Sequence, residues 1–123
     1  MQKLLIIAGA LLLVYIAYIT FQYIKLDKSL DTKIFNGAII LDVRTEGEFK
    51  SGHIDGAVNI SLGTLRERYV ELDPDKTYIT TCSHGLRSVK AASILKERGF
   101  KHVYNGGAWE ELEKVIAAVK ARQ

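Results

Sequence analysis

The sequence predicts an α/β domain, a mostly parallel sheet covered by helices on both faces, carried behind one long apolar helix. Three observations lead there. From residue 38 onward, short apolar runs of strand type alternate with segments of helical periodicity, the pattern of βα units. Ahead of them, Leu4 to Ile24 (LLIIAGALLLVYIAYITFQYI) carries no charge at all. The composition is that of a folded chain: 123 residues, 48% hydrophobic and 25% charged, sufficient for one domain.

The apolar stretch comes first. At about 1.5 Å rise per residue, a helix over residues 4–24 spans about 30 Å, the thickness of a bilayer core. Lys3 and Lys25 flank it, and Tyr15, Tyr18 and Tyr23 gather toward its C-terminal end, where aromatic rings favour the membrane interface. A cleaved signal peptide is the alternative. Its apolar region would be shorter and would end in small residues, whereas this one ends ITFQYIKL. A buried core helix would show a polar face, and none is present. The reading is a single-pass anchor in a cell membrane of bacterial inner-membrane type. Counting Lys3 against Lys25, Lys28 and Lys33 favours a cytoplasmic domain. The short Met-Gln-Lys start resembles an export signal and favours the periplasmic side, which is the placement preferred here. The chain thus divides into an anchor over 1–25, a polar connector over 26–37 and a domain over 38–123. Ser29 to Phe35 is expected to form a helical turn within the connector.

In the domain, Ala38 to Val43 (AIILDV), Ala57 to Ile60 (AVNI), Tyr78 to Cys82 (YITTC) and the short His102 to Tyr104 (HVY) read as strands. Leu62, Leu65, Tyr69 and Leu72 recur at helical spacing. A helix from Ser88 carries Lys96 and Arg98 in its last turn, with Gly99 as its C-cap. Trp109, Leu112, Val115, Ile116 and Val119 form one apolar stripe, so Trp109 reads as core. That last helix opens with Glu110, Glu111 and Glu113 and closes with Lys120 and Arg122, matching its macrodipole.

Charge and cysteine usage exclude several functions. The net charge of +3 is mild and its basic residues are interleaved with acids, so there is no nucleic-acid footprint. One cysteine makes no internal disulfide. His53, His84 and His102 are scattered without paired thiols, so neither a metal nor an organic cofactor is implied.

The single cysteine sits in TTCSHGLRS. In α/β sheets ligands bind beyond the carboxyl ends of strands, and Cys82 falls on that edge. Gly85 permits a positive φ, which lets the loop curl and point backbone N–H groups inward at an anion. The following helix N-terminus and Arg87 add positive charge. Each feature favours the charged form of the thiol, a nucleophile. A lone cysteine ending a strand is also often just a small buried hydrophobe.

Three stretches resemble a single-domain rhodanese, a thiosulfate sulfurtransferase-type domain. They are LDVRTEGEFKSGHIDGAVNISL (Leu41 to Leu62), CSHGLRS (Cys82 to Ser88) and YNGGAWEEL (Tyr104 to Leu112). The match covers roughly residues 38 to 120, in the right order. The resemblance implies a parallel sheet flanked by helices and a sulfurtransferase in which Cys82 takes sulfane sulfur as a persulfide. The donor would be thiosulfate-like and the acceptor a thiol or cyanide, a protein acceptor included. By the same resemblance Ser83, His84, Gly85, Leu86, Arg87 and Ser88 shape the binding loop, and Arg87 either orients the donor's oxyanion or braces the loop. His84, inside the loop, is a candidate for tuning the donor site.

Asp42, Arg44 and Glu48 are expected to support the site from behind. Asp42 would hold the loop that follows it, and Arg44 and Glu48, four apart, would pair across a helical turn. His53 is expected to cap or pack. Phosphatase and arsenate reductase domains of the wider fold carry C-x5-R, one residue longer than this loop, which ranks sulfur transfer above phosphoryl transfer. A low-turnover sulfur-carrier module docking on a membrane partner is the other alternative. The sequence departs from the family pattern ahead of Ala38, where the usual first strand and helix are trimmed or merged with the connector.

Overall fold

Four strands pair in parallel in the order β2-β1-β3-β4. The structure, a computed structural model, describes residues 1–24, 26–27 and 29–123. Lys25 and Lys28, used in the flanking-charge count, and the side chain of Tyr23 lie outside the described residues. The apolar stretch forms α1 (Gln2–Ile24), the one described helix long and apolar enough to cross a membrane. Then follow α2 (Leu30–Phe35), β1 (Ile39–Asp42), α3 (Glu46–Ser51), β2 (Val58–Asn59), α4 (Leu62–Arg68) with a 3₁₀ turn (Tyr69–Glu71), β3 (Thr77–Cys82), α5 (Leu86–Glu97), β4 (His102–Ala108) and α6 (Trp109–Ala121).

Both faces of the sheet are covered. On one, Leu41, Val43, Tyr78, Val103 and Cys82 meet Leu65 of α4 and Ala91, Ile94 and Leu95 of α5. On the other, Ile40 and Ile79 meet Leu30 of α2 and Leu112 and Ile116 of α6. A strand buried on both sides needs no polar alternation, and β3 is buried from Tyr78 to Cys82. Its two threonines are kept there by hydrogen bonds: Thr80 Oγ1 donates to Ser88 O at 2.8 Å and Thr81 Oγ1 to Gly107 O at 2.7 Å.

The elements differ from the sequence reading at β4, α3, α5 and α4. β4 runs four residues beyond HVY, through Asn105, Gly106 and Gly107 to Ala108. Gly106 is required there: a Cβ at 106 would stand 2.6 Å from Ile79 Cγ2 and 2.9 Å from both Leu112 Cδ2 and Thr80 O. α3 is an additional helix, nucleated by a capping box in which Glu48 N donates to Thr45 Oγ1 and Thr45 N to Glu48 Oε1. Lastly, α5 begins at Leu86 rather than Ser88, and α4 gives way to the 3₁₀ turn before Leu72.

The register aligns the chemistry. Asp42 lies beside Thr81, and Cys82 beside Ala108. The carboxyl ends of β1, β3 and β4 therefore share one edge, and the segments leaving them meet around the thiol.

Candidate active site

Cys82 is the last residue of β3 and only 1% exposed. The chain turns back at Gly85, whose φ of 100° is the left-handed conformation that favours glycine. That turn brings Gly85 N–H onto Cys82 Sγ at 3.0 Å. α5 then starts at once, so the thiol lies at the amino end of a helix. Ser83 and Arg87 are half-buried, His84 is exposed, and Leu86 at the rim is 63% exposed.

The loop is held from two sides. On the α3 side, Arg87 donates from both terminal nitrogens to Glu48, at 2.8 and 2.9 Å, and Arg87 Nη2 also donates to Ser83 Oγ at 3.1 Å. Ser83 Oγ donates to Glu48 Oε2 at 2.9 Å. One carboxylate thus grips both ends of the loop. The Arg87 guanidinium beside it, with the Thr45 N–H and the Ser83 hydroxyl, holds the Glu48 carboxyl far below the usual carboxylate range. Glu48 in turn raises Arg87 further. Of the two roles open to Arg87, this geometry supplies the brace.

On the β4 side, Ser88 Oγ lies 2.8 Å from Gly85 O and 2.7 Å from Asn105 Oδ1, two acceptors sharing its proton. Gly107 N donates to the same Asn105 Oδ1 at 3.1 Å. Asn105 was not singled out from the sequence, although it stands in the YNGG stretch. An amide buried in mid-strand is the signal that marks such a residue, because a buried polar group must be satisfied.

Behind the loop, Asp42 and Arg44 form a buried bidentate pair. Arg44 Nε and Nη2 donate to Asp42 at 3.0 and 2.7 Å, and Arg44 N donates to Asp42 Oδ1 at 3.0 Å. The expected pairing of Arg44 with the Glu48 carboxylate does not occur. Arg44 donates instead to the carbonyl oxygens of Glu48 and Gly52, at 3.3 and 2.7 Å, because Asp42 is nearer and buried. Its guanidinium also lies 4.7 Å from the centre of the Trp109 ring. Trp109 packs on the α2–α6 side of the core as expected, yet is only half-buried, and one face carries this cation. His53 stacks on Phe49 at 3.8 Å with Nδ1 2.8 Å from Phe49 O, the packing role expected of it.

A nucleophile at a strand end, a short loop curled onto it and a helix amino end behind it can accept and stabilise a small anionic group on sulfur. A model of the rhodanese-like domain matches residues 25–113. Thiosulfate sulfurtransferase GlpE of Shewanella oneidensis is 33% identical over 96 residues, 75% of this chain and 95% of the relative. Thiosulfate sulfurtransferase PspE of Escherichia coli is 36% identical over 74 residues, 58% and 71% of the two chains. A putative sulfur carrier protein of Bacillus subtilis, YrkF, is 42% identical over 66 residues, 54% of this chain and 36% of that one. Among solved structures, a rhodanese with anions from E. coli superposes with a TM-score of 0.57 at 32% identity, covering 61% of this chain and 91% of that one. Sequence, topology and the thiol loop therefore agree, and the chain belongs to the rhodanese-like family.

Proposed function

We propose that this protein is a membrane-anchored sulfurtransferase in which Cys82 carries sulfane sulfur as a persulfide. The observation that carries this reading is the contact of Gly85 N–H with Cys82 Sγ, made by a loop too short for the larger cradle of C-x5-R enzymes. The Cys82 thiolate attacks the outer sulfur of a thiosulfate-like donor. A new S–S bond forms on Cys82, the S–S bond of the donor breaks, and sulfite leaves with the electron pair. An acceptor thiolate then attacks the terminal sulfur, and Cys82 departs as thiolate. Burial of Cys82 favours a small donor. Loading moves the reactive sulfur outward by one S–S bond, about 2 Å, toward a larger acceptor.

Ser83, Gly85 and Ser88 shape the pocket, His84 and Leu86 form its rim, and Arg87 braces it through Glu48. Asp42 and Arg44 hold the segment behind. Residues 1–25 serve as the anchor and 38–123 as the catalytic domain, and the connector over 26–37 packs onto that domain through Asp27 and Leu30. The domain is placed on the periplasmic face, a placement that protease protection in spheroplasts tests. The likeness to a named sulfur carrier favours one second reading, a low-turnover module serving one membrane partner.

The test is intact mass. After thiosulfate treatment and desalting, the protein should gain one sulfur atom, lose it to cyanide, and gain none as Cys82→Ser. Repeated transfer to a small thiol supports the enzyme, and a single transfer supports the carrier. An unloaded Cys82 that still reacts with a thiol reagent would rule out thiosulfate as the donor and move the docking module ahead of the enzyme. The mass of full-length protein from membranes also separates a retained anchor from a cleaved signal.

A further inference from the structure

The short tether between α1 and the sheet fixes where the thiol loop sits. α1 ends at Ile24, and Asp27 is already on the free edge of β4. Asp27 N donates to Asn105 O at 3.3 Å, and Asn105 N donates to Asp27 Oδ2 at 2.6 Å. Three Cα steps join Ile24 to Asp27, at most about 11 Å.

The direction of entry matters as much as the length. Leu26 covers Gly107, where any Cβ would collide with it, and Asp27 then meets Asn105. The chain therefore descends antiparallel to β4, and enters at the carboxyl edge of the sheet. That is the edge where Cys82 stands beside Ala108. A Cβ built at Gly85 would lie 3.8 Å from Gly107 Cα, so the residue under Leu26 lies close to the thiol loop. A cleft lined by Gln22, Asp27, Val89, Ser93, Glu97 and Asn105 runs from the helix end along α5 to its last turn. The rim carries exposed apolar surface, with Leu86 63% and Leu26 49% exposed. The headgroup layer is about 5–8 Å deep on each side of the hydrocarbon core. A loop this close to so short a tether is within reach of that layer when α1 spans the membrane.

We infer that the Cys82 loop is held at the membrane surface and passes its sulfur to a partner resident in the same membrane, one that presents a thiol at headgroup level. This rests on the anchor and persulfide readings above. The partner thiolate attacks the terminal sulfur of the Cys82 persulfide. The S–S bond to Cys82 breaks, a new one forms on the partner, and the electron pair stays on Cys82. Confinement to one surface raises the effective concentration of such a thiol without any new contact. Asp27 is a positioning residue: it fixes Asn105, which receives Ser88 and Gly107.

The test uses the full chain in phospholipid vesicles. Nitroxide labels are placed at Leu86→Cys or Lys76→Cys in a Cys82→Ser background. Lys76 precedes β3 at the opposite edge, about 20 Å away along the strand. A nickel-chelating lipid should relax the label at 86 at least about three-fold more than that at 76, since such relaxation falls steeply with distance. Inserting about twelve Gly/Ser residues after Ile24 adds roughly 20 Å of reach and should abolish the difference. With Cys82 present and loaded, transfer to a thiol-headgroup lipid should fall about ten-fold on insertion while transfer to free mercaptoethanol stays unchanged. Equal relaxation at 86 and 76 in the uninserted, vesicle-bound protein overturns the placement. Insertion that leaves lipid-thiol transfer unchanged overturns the membrane-resident partner and favours a soluble one. Failure to float with vesicles removes the anchor and the inference together. Failure to load sulfur removes the persulfide reading, and the labels alone still decide the placement.

Discussion

Two arginine–carboxylate pairs flank the thiol loop, and they differ in what they hold. Arg44 and Asp42 are 4% and 1% exposed at the side chain, with Trp109 over the guanidinium. Arg87 and Glu48 are 34% and 36% exposed and close a loop rather than a core. The chemistry is the same bidentate fork in both. The surroundings make the first pair a matter of folding and the second a matter of loop shape. Breaking a buried pair strands a charge away from water, whereas a half-exposed pair loses less because solvent is already beside it.

Arg44→Ala should have the largest effect on stability. It leaves Asp42 buried and uncompensated, at a cost of about 3–5 kcal/mol in urea denaturation. Replacing both partners, as Asp42→Leu with Arg44→Met, should recover much of that loss. If the double variant is no better than the single, stranded charge is not the reason the pair matters. Gly106→Ala probes the same buried side without charge. Its methyl meets Ile79, Leu112 and the Thr80 carbonyl, so overpacking of about 1–3 kcal/mol should appear as a lowered Tm.

Thr45→Ala crosses to the exposed side, where loss of the N-cap should cost about 1 kcal/mol. The smallest change in stability belongs to Glu48→Gln, whose denaturation midpoint should stay close to that of the parent. Its sulfur-transfer rate should nevertheless fall about ten-fold, because the loop loses its clamp and positioning errors of about 1 Å are costly in catalysis. Equal losses of stability in Arg44→Ala and Glu48→Gln would erase the contrast.

Acid sharpens the same comparison. Glu48 is depressed below its ordinary value of 4.5. A depressed carboxyl contributes stability above its unfolded value and loses it as pH falls through its folded value. The clamp should thus be constant above pH 4.5 and fail only in stronger acid. Amide exchange in the loop against pH reads this directly. Glu48→Gln should lack that acid step, and a step near neutrality in the parent would contradict the assignment of the clamp to Glu48.

Much of this was legible in the residues. β-branched and apolar runs marked the strands, and alternation with helical periodicity gave the parallel order. The loop around Cys82 stood out because a thiol, a glycine and an arginine follow a strand at close spacing. β4 was read short because Asn105-Gly106-Gly107 reads locally as a turn, and only contact with Ile79 and Leu112 makes it strand. α3 carries Thr45-x-x-Glu48, its capping-box signature, but six residues give too little periodicity to mark more than a single turn. The partners of Glu48 and Asn105 are set by tertiary contact. Arg87 lies 39 residues from Glu48, and Asp27 lies 78 from Asn105, so spacing on a helix or strand could not reveal them.

The Glu48 carboxylate has a consequence for motion. It closes the cap of α3 and clamps the Cys82 loop with the same two oxygens. Fraying of α3 therefore loosens the loop, and by reciprocity whatever stiffens the loop must quiet the helix. Sulfur resting on Cys82 should thus be felt in the hydrogen exchange of α3.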